Sequence, residues 1–438
     1  MTALEKKLTD RSARVGVVGM GYVGLPLAIA AVRKGFRVTG FDIDPVRVRV
    51  LASGRSHIPD VPGSAVAEGV KAGRFSATTS FAACGRCDVV VICVPTPLRK
   101  TKEPDLTCVI LACRSVAAHL RKGQLIVLES TTYPGTTREL VLPMFAARGL
   151  KVGRDFHLAF SPERVDPANK KFGIANTPKV VGGVTKSCSA LVARFYGQFI
   201  ETVVPVRDVD TAEMVKLLEN TFRAVNIAMA NEMALMCHRL GVDIWEIIRA
   251  ASTKPFGFMP FYPGPGLGGH CIPVDPSYLA WKMKSLNFEP RLIELAANIN
   301  SQMPEYTVSR VGDLLNAMRR PLKGSRVFVL GVAYKPDVND MRESPSLDVI
   351  KLLSERGAAV SYHDPFVPAV EIELGAGRQP LRLRSRPLTR AALRAAHLTA
   401  ILTAHRCVDY QEVVKHSRLV FDTRNATVGM KRKNIRRI

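Results

Sequence analysis

From Arg14 onward, short and almost wholly apolar runs alternate with longer stretches of helical periodicity. The runs ARVGVVGM, RVTGFDID, DVVVICVP and QLIVLES are β-rich, and the segments between them place apolar residues on one helical face. That alternation predicts βαβ units on a parallel sheet over residues 14 to about 205. The pattern then changes. AEMVKLLENTFRAVNIAMANEMALMCHRLG reads as one long helix closed by Gly241, and EPRLIELAANINSQMPEYTVSRVGDLLNAM supplies another. From Arg326 the βαβ pattern returns in RVFVLGVAY, AAVSYHDP, HLTAILTA and RLVFDTR. The predicted class is therefore α/β, with two doubly wound domains at 1–207 and 321–438 joined by a helical domain at 208–320.

Composition narrows the class. Hydrophobic residues make up 47% of the 438 residues, enough for sizeable cores. No run of about 18 uncharged apolar residues suggests a membrane span. The opening MTALEKKLTDRSAR lacks the apolar stretch of a secretion signal, so a cytoplasmic protein is expected. The nine cysteines are scattered, as in a reducing compartment. Cys84 and Cys87 form a CxxC, but without a second pair or nearby histidines they predict buried thiols and no metal site. Lys and Arg number 62 against 38 acids, a net +24. The excess is spread along the chain, which fits attraction of an anionic small molecule better than a nucleic-acid face.

GVVGMGYVG places Gly19, Gly21 and Gly24 in GxGxxG spacing directly after a strand, and Asp42 ends the next strand. The combination predicts a Rossmann dinucleotide site. Gly19, Met20, Gly21, Tyr22, Val23 and Gly24 cradle the pyrophosphate at a helix N-terminus, and Asp42 meets the ribose. A carboxylate there repels a 2′-phosphate and favours NAD, with Arg47 close enough to cover the adenine. Thr96 and Thr131 follow the next two buried strands, where residues line the cofactor crevice. Thr136 and Thr137 read equally well as caps of the next helix.

GPGLGGHCIPVDP, residues 264–276, packs glycines into a loop that ends in Cys271. Glycine lets backbone N–H groups approach a phosphate, and a cysteine near a helix N-terminus favours its thiolate. Lys216 and Asn220 stand i, i+4 on the long helix and share a face. Pro162 before Glu163 fits the first position of a helix.

Together GVVGMGYVGLPLA, FDIDPVR, VPTP, ESTTYPGTT, SPERV, KLLENTFRAVNIAMANE, GPGLGGHCIPVDP and GVAYKPDVNDMRESPS resemble the UDP-glucose/GDP-mannose dehydrogenase family, in the family's order and over nearly the whole chain. His270-Cys271-Ile272-Pro273 is most similar to the branch acting on UDP-N-acetylhexosamines, UDP-N-acetylglucosamine 6-dehydrogenases above all. UDP-glucose, UDP-ManNAc and UDP-GalNAc are the alternatives. The resemblance implies oxidation of CH2OH to COOH with two NAD+, in the making of surface-polysaccharide precursors. Cys271 forms a thiohemiacetal and then a thioester. Lys216 and Asn220 serve the oxyanion, Glu163 the hydrolytic half, and Asp275 works with Thr131 through water as base. The resemblance also implies that Glu163, Arg164, Lys216, Asn220, Tyr262, Gly264, Gly266, Gly268 and Lys335 hold the UDP-sugar, that Arg342 reaches the cofactor phosphates, and that subunits pair through the central helices as a homodimer or higher oligomer. Two rival readings remain. A two-electron hydroxy-acid dehydrogenase would not need the loop ending in Cys271, and a basic binding protein would not need the dinucleotide fingerprint.

Overall fold

The computed structural model describes residues 1–99, 103–166, 169, 171–269, 271–375 and 377–438; His270 lies outside them. The chain forms two compact units, Met1–Glu219 with Ser277–Phe288, and Asn220–Pro276 with Glu289–Ile438.

The first unit is built on eight strands: β1 (Arg14–Val18), β2 (Arg37–Phe41), β3 (Phe75–Thr78), β4 (Val89–Ile92), β5 (Leu125–Leu128), β6 (His157–Phe160), β7 (Lys179–Gly183) and β8 (Val203–Pro205). Their order is β3-β2-β1-β4-β5-β6-β7-β8, parallel except for the β6–β7 pair. The central strands VVVI and LIVL are buried along their whole length, as a parallel sheet covered on both faces requires. The strand order reverses between β1 and β4. Gly19 and Val94–Thr96 follow those strands at their carboxyl ends, where doubly wound sheets bind ligands.

The second unit holds a parallel sheet of β9 (Arg326–Leu330), β10 (Ala359–His363), β13 (Leu398–Ile401), β14 (Val420–Asp422) and β15 (Ile435–Arg437), in the order β10-β9-β13-β14-β15. A separate hairpin joins β11 (Ala369–Ile372) to β12 (Leu381–Arg384). Its core runs from the sheet residues Val327, Val329 and Ala400 to the helix residues Met303, Val311 and Leu315. The expected long helix spans Val209–Leu240, 32 residues, and Gly241 closes it at φ 72°. The second long helix, Arg291–Ala317, continues through Pro304. Proline has no N–H, so the Asn300 carbonyl loses its intrahelical donor. Gly266 of the glycine-rich loop packs against that carbonyl.

Candidate active site

In the first unit each fingerprint glycine has its own reason. A Cβ on Gly19, at φ 91°, would lie 2.6 Å from the Cys93 carbonyl, and one on Gly24 would lie 1.9 Å from the Gly19 carbonyl. A Cβ on Gly21 would meet no protein atom within 4 Å, so the chain leaves room there for a pyrophosphate. Asp42 is buried, and its carboxylate accepts the N–H groups of Met20 and Asp44, each at 2.9 Å. That fixes it at the end of β2, facing the loop. Arg47 sits 3.6 Å from Asp42 and 3.4 Å from Asp44. Tyr22 and Val23 complete the loop, partly exposed. These residues fit NAD. Thr96 and Thr131 are half-buried, and Tyr278 donates to the Thr96 carbonyl at 3.0 Å. Cys84 and Cys87 are buried thiols, pushed by burial up to about 12 and about 11.

Thr136 and Thr137 do not cap a helix end. Thr136 donates to the Tyr133 carbonyl at 2.6 Å. Thr137 binds the buried Glu213 carboxylate through its hydroxyl (2.7 Å) and N–H (2.9 Å), and Gly135 N–H (2.8 Å) and Thr132 hydroxyl (3.2 Å) join it. Glu213 lies one helical turn before Lys216 and ties the segment after Thr131 to the long helix. Burial pushes its carboxyl up to about 7, against the pull of these donors. The native state therefore keeps a proton that the unfolded chain releases from its ordinary 4.5 upward. The Glu213 contribution to stability is full below that pH and declines as pH rises toward 7, by about 3 kcal/mol in all. Glu213→Gln removes the titration. The stability difference between wild type and variant in urea melts is expected to fall from pH 4.5 to pH 8; a pH-independent difference would contradict this assignment.

Ser161–Asp166 forms no helix, so Pro162 does not open one. Pro162 instead lies in an irregular segment that carries Glu163. Glu163 accepts the N–H groups of Val165 (2.6 Å) and Arg164 (2.8 Å) on Oε1. Lys179 stands 3.4 Å from Oε2 and 3.1 Å from Glu129, whose carboxylate also takes the Tyr196 hydroxyl. Burial pushes Glu163 up, but Lys179, Lys216 and the two N–H groups outweigh it and hold the carboxyl below its ordinary range. Lys216 is buried and donates to the Glu163 carbonyl at 2.8 Å. Arg164 is committed elsewhere: its guanidinium grips Glu219 (2.6 and 3.2 Å) and the Pro178 carbonyl (2.8 Å).

In the second unit Asn220 donates to the Asp275 carboxylate at 2.5 Å. The Cys271 carbonyl accepts the N–H groups of Asp275 (2.8 Å) and Val274 (3.1 Å), a turn that sets Cys271 just ahead of the helix Asp275–Ser285. Cys271 is half-buried and in no disulfide. The glycines before it are required by packing rather than by open space for phosphate. Cβ atoms would meet Arg424 from Gly264 at 2.4 Å, Pro345 from Gly266 at 2.9 Å, and Pro345 and Tyr334 from Gly268 at 2.9 Å. Arg424 was not expected at the loop. Burial pulls its guanidinium down to about 10, which leaves it cationic at neutral pH beside Gly264. Asn231 and Asn300 were also unexpected. Asn231 accepts Gly264 N–H at 3.0 Å and donates to Asn300 at 2.9 Å, and Asn300 donates to the Ala224 carbonyl at 3.1 Å. Both are buried, and the pair anchors the start of the loop. Lys335 lies over the Tyr334 ring at 5.7 Å, Arg342 grips Asp340 at 2.6 Å, and Tyr262 stacks on Trp245.

Models of three domains of one family match in sequence: the NAD-binding domain at residues 13–200, the central domain at 210–302 and the UDP-binding domain at 328–428. The chain belongs to the UDP-glucose/GDP-mannose dehydrogenase family. It is 36% identical over 361 residues to a UDP-N-acetyl-D-glucosamine 6-dehydrogenase of Pseudomonas aeruginosa, covering 82% of this chain and 84% of that one. It is also 36% identical over 356 residues to a UDP-N-acetyl-D-mannosamine dehydrogenase of Escherichia coli, covering 78% and 83%. The fold matches a UDP-D-ManNAc dehydrogenase of Pyrococcus horikoshii with TM-score 0.87 at 32% identity, over 97% of this chain and 99% of that one. This family member is an NAD-dependent oxidoreductase of the UDP-sugar dehydrogenase type, as its sequence motifs imply. Among the described residues no helix is long and apolar enough to cross a membrane.

Proposed function

We propose that this dehydrogenase oxidises the C6 hydroxymethyl of a UDP-N-acetylhexosamine to the uronic acid, UDP-N-acetylglucosamine being the first candidate. The observation that supports the covalent route lies in the second unit: Asn220 donates to the Asp275 carboxylate, and the Asp275 N–H holds the Cys271 turn. NAD, held by Gly19–Gly24 and Asp42, supplies the hydride acceptor for both oxidations. The Cys271 thiolate adds to the C6 aldehyde to give a thiohemiacetal, and the second oxidation leaves a thioester. Lys216 and Asn220 donate to the oxyanion. Asp275 takes the proton of the C6 alcohol through a water to which Thr131 also bonds. Glu163 takes a proton from the water that cleaves the thioester. Arg424 and Lys335, after strands β14 and β9, supply cationic charge for the diphosphate. In this role Arg424 stands beside Gly264.

The substrate reading is supported by the names of the relatives, which include both UDP-GlcNAc and UDP-ManNAc enzymes. It is tested by NADH production over UDP-GlcNAc, UDP-ManNAc, UDP-GalNAc and UDP-glucose. The expected result is the highest kcat/KM with UDP-GlcNAc. Preference for UDP-glucose would overturn the N-acetylhexosamine reading, and preference for UDP-ManNAc would move the assignment within it. The product suits surface-polysaccharide precursors. A homodimer is part of the proposal: Phe222, Met229, Met233, Met236 and Leu240 expose an apolar stripe along the long helix. A monomer in sedimentation at micromolar concentration would rule the dimer out.

A further inference from the structure

Behind Glu163 lies a chain of charge that the chemistry above does not use. Glu129, directly after β5, is fully buried. Lys179, the first residue of β7, is also buried, and its ammonium is divided between Glu129 at 3.1 Å and Glu163 at 3.4 Å. Tyr196 donates its hydroxyl to Glu129 and lies under the Lys179 ammonium, 5.2 Å from its ring centre. Cys93, after β4, directs its thiol toward the other Glu129 oxygen at 3.9 Å. From the long helix Lys216 holds the Glu163 carbonyl, and the neighbouring Arg164 is tied to Glu219. Among these groups the carboxylate of Glu163 is the outermost of the buried chain, 12% exposed against 6% for Lys179 and none for Glu129.

A buried ion pair is poor evidence for stability, since apolar groups of the same shape often serve as well or better. Two carboxyl groups divide one ammonium here, and Lys216 adds its charge beside Glu163. The arrangement makes sense as a device acting on its outer member. Glu163 Oε1 is fixed by two backbone N–H groups and Oε2 by Lys179, so the carboxylate has one orientation. Glu129 in turn limits how strongly Lys179 draws on Glu163. Full possession of the ammonium would weaken Glu163 as a base, and its loss would raise the affinity of the carboxyl for a proton.

We propose that Lys179, shared between Glu129 and Glu163, is a positioning residue that holds the Glu163 carboxylate in the orientation and charge state needed to accept a proton from the hydrolytic water. The inference rests on Glu163 acting in the hydrolytic half of the reaction. In that step the water oxygen bonds to the thioester carbon, its proton passes to Glu163, and the carbon–sulfur bond breaks with the pair leaving on the Cys271 thiolate. The uronic acid and the regenerated thiol complete the balance.

The test is the pH dependence of thioester hydrolysis, followed as decay of the acyl-enzyme after a single turnover on the full chain. Glu129→Gln gives Lys179 wholly to Glu163, and the acid limb of the profile is expected to move to lower pH. The double variant Lys179→Met/Glu129→Gln removes the ammonium without stranding Glu129, and the acid limb is expected to move to higher pH, by about one unit or more. Damage to the fold alone would not produce shifts of opposite sign. Should the double variant fail to fold, the Glu129→Gln shift decides the question by itself. Unmoved limbs, with Glu163→Gln still slowing hydrolysis, would overturn the role of Lys179. Hydrolysis at wild-type rate in Glu163→Gln would instead remove the reading of Glu163 on which the inference stands.

Discussion

Cys271→Ser is expected to lower formation of the uronic acid by on the order of 10³-fold, about 4 kcal/mol of transition-state stabilisation. The first oxidation needs no covalent bond, so a first NADH should still form. The second requires a tetrahedral adduct whose carbon can release hydride. A serine hydroxyl is far less ionised than a thiol at neutral pH, and any ester it forms resists water more than a thioester does. The variant should therefore stall with aldehyde or accumulate a slow adduct visible as added mass on the intact protein. Completion of both oxidations at the wild-type rate would remove the covalent scheme. None of the other eight thiols offers a substitute by placement: Cys84, Cys87, Cys93, Cys113, Cys188 and Cys237 are buried, Cys108 lies on a helix after β4, and Cys407 is exposed after β13.

Lys216→Met is expected to cost about 10²–10³-fold in kcat, the loss typical of one oxyanion donor. An ammonium has three N–H donors, and one is spent on the Glu163 carbonyl. The same side chain thus anchors the Glu163 segment and presents charge beside it. Methionine keeps the length and the apolar stem, so the effect should fall on kcat more than on KM. A variant that changed only KM would recast Lys216 as a substrate-binding lysine. Lys216→Arg, which keeps charge with a different donor geometry, should recover part of the loss if charge is the larger component.

Most of the framework was legible because it follows from periodicity. Short apolar runs bounded by turn residues fit buried parallel strands, and the long uninterrupted stretch to Gly241 fits a helix. The dinucleotide loop was legible because Gly19 and Gly24 have fixed steric jobs, set by the Cys93 and Gly19 carbonyls. The hairpin β11–β12 and the N-terminal helix Ala3–Thr9 carry only weak periodic signals. The helix announces itself only by the Thr2–Glu5 capping box.

The sequence displays the site one residue at a time and hides its partnerships. Lys179 looks like a solvated lysine before a strand, yet all five residues of KVVGG are buried, and a charge inside such a run had to find carboxylates. Glu129 gives the same signal at the end of LIVL. Glu213 was hidden by an ordinary helix start. Its partners Gly135 and Thr137 lie some 76 to 78 residues earlier in the chain, a separation that spacing rules do not span. The composition of the glycine-rich loop suits phosphate, but the positions a Cβ would occupy are filled by Arg424, Pro345 and Tyr334. Long-range packing chose those glycines, and packing of that kind leaves no local pattern.

The central claim is oxidation by four electrons through Cys271. It is tested most directly by counting NADH per sugar, with UDP-GlcNAc limiting and NAD+ in excess, while the product is followed by mass. The account predicts two NADH for each sugar consumed and a uronic acid as the only product. One NADH per sugar, with an aldehyde released to solution, would contradict it.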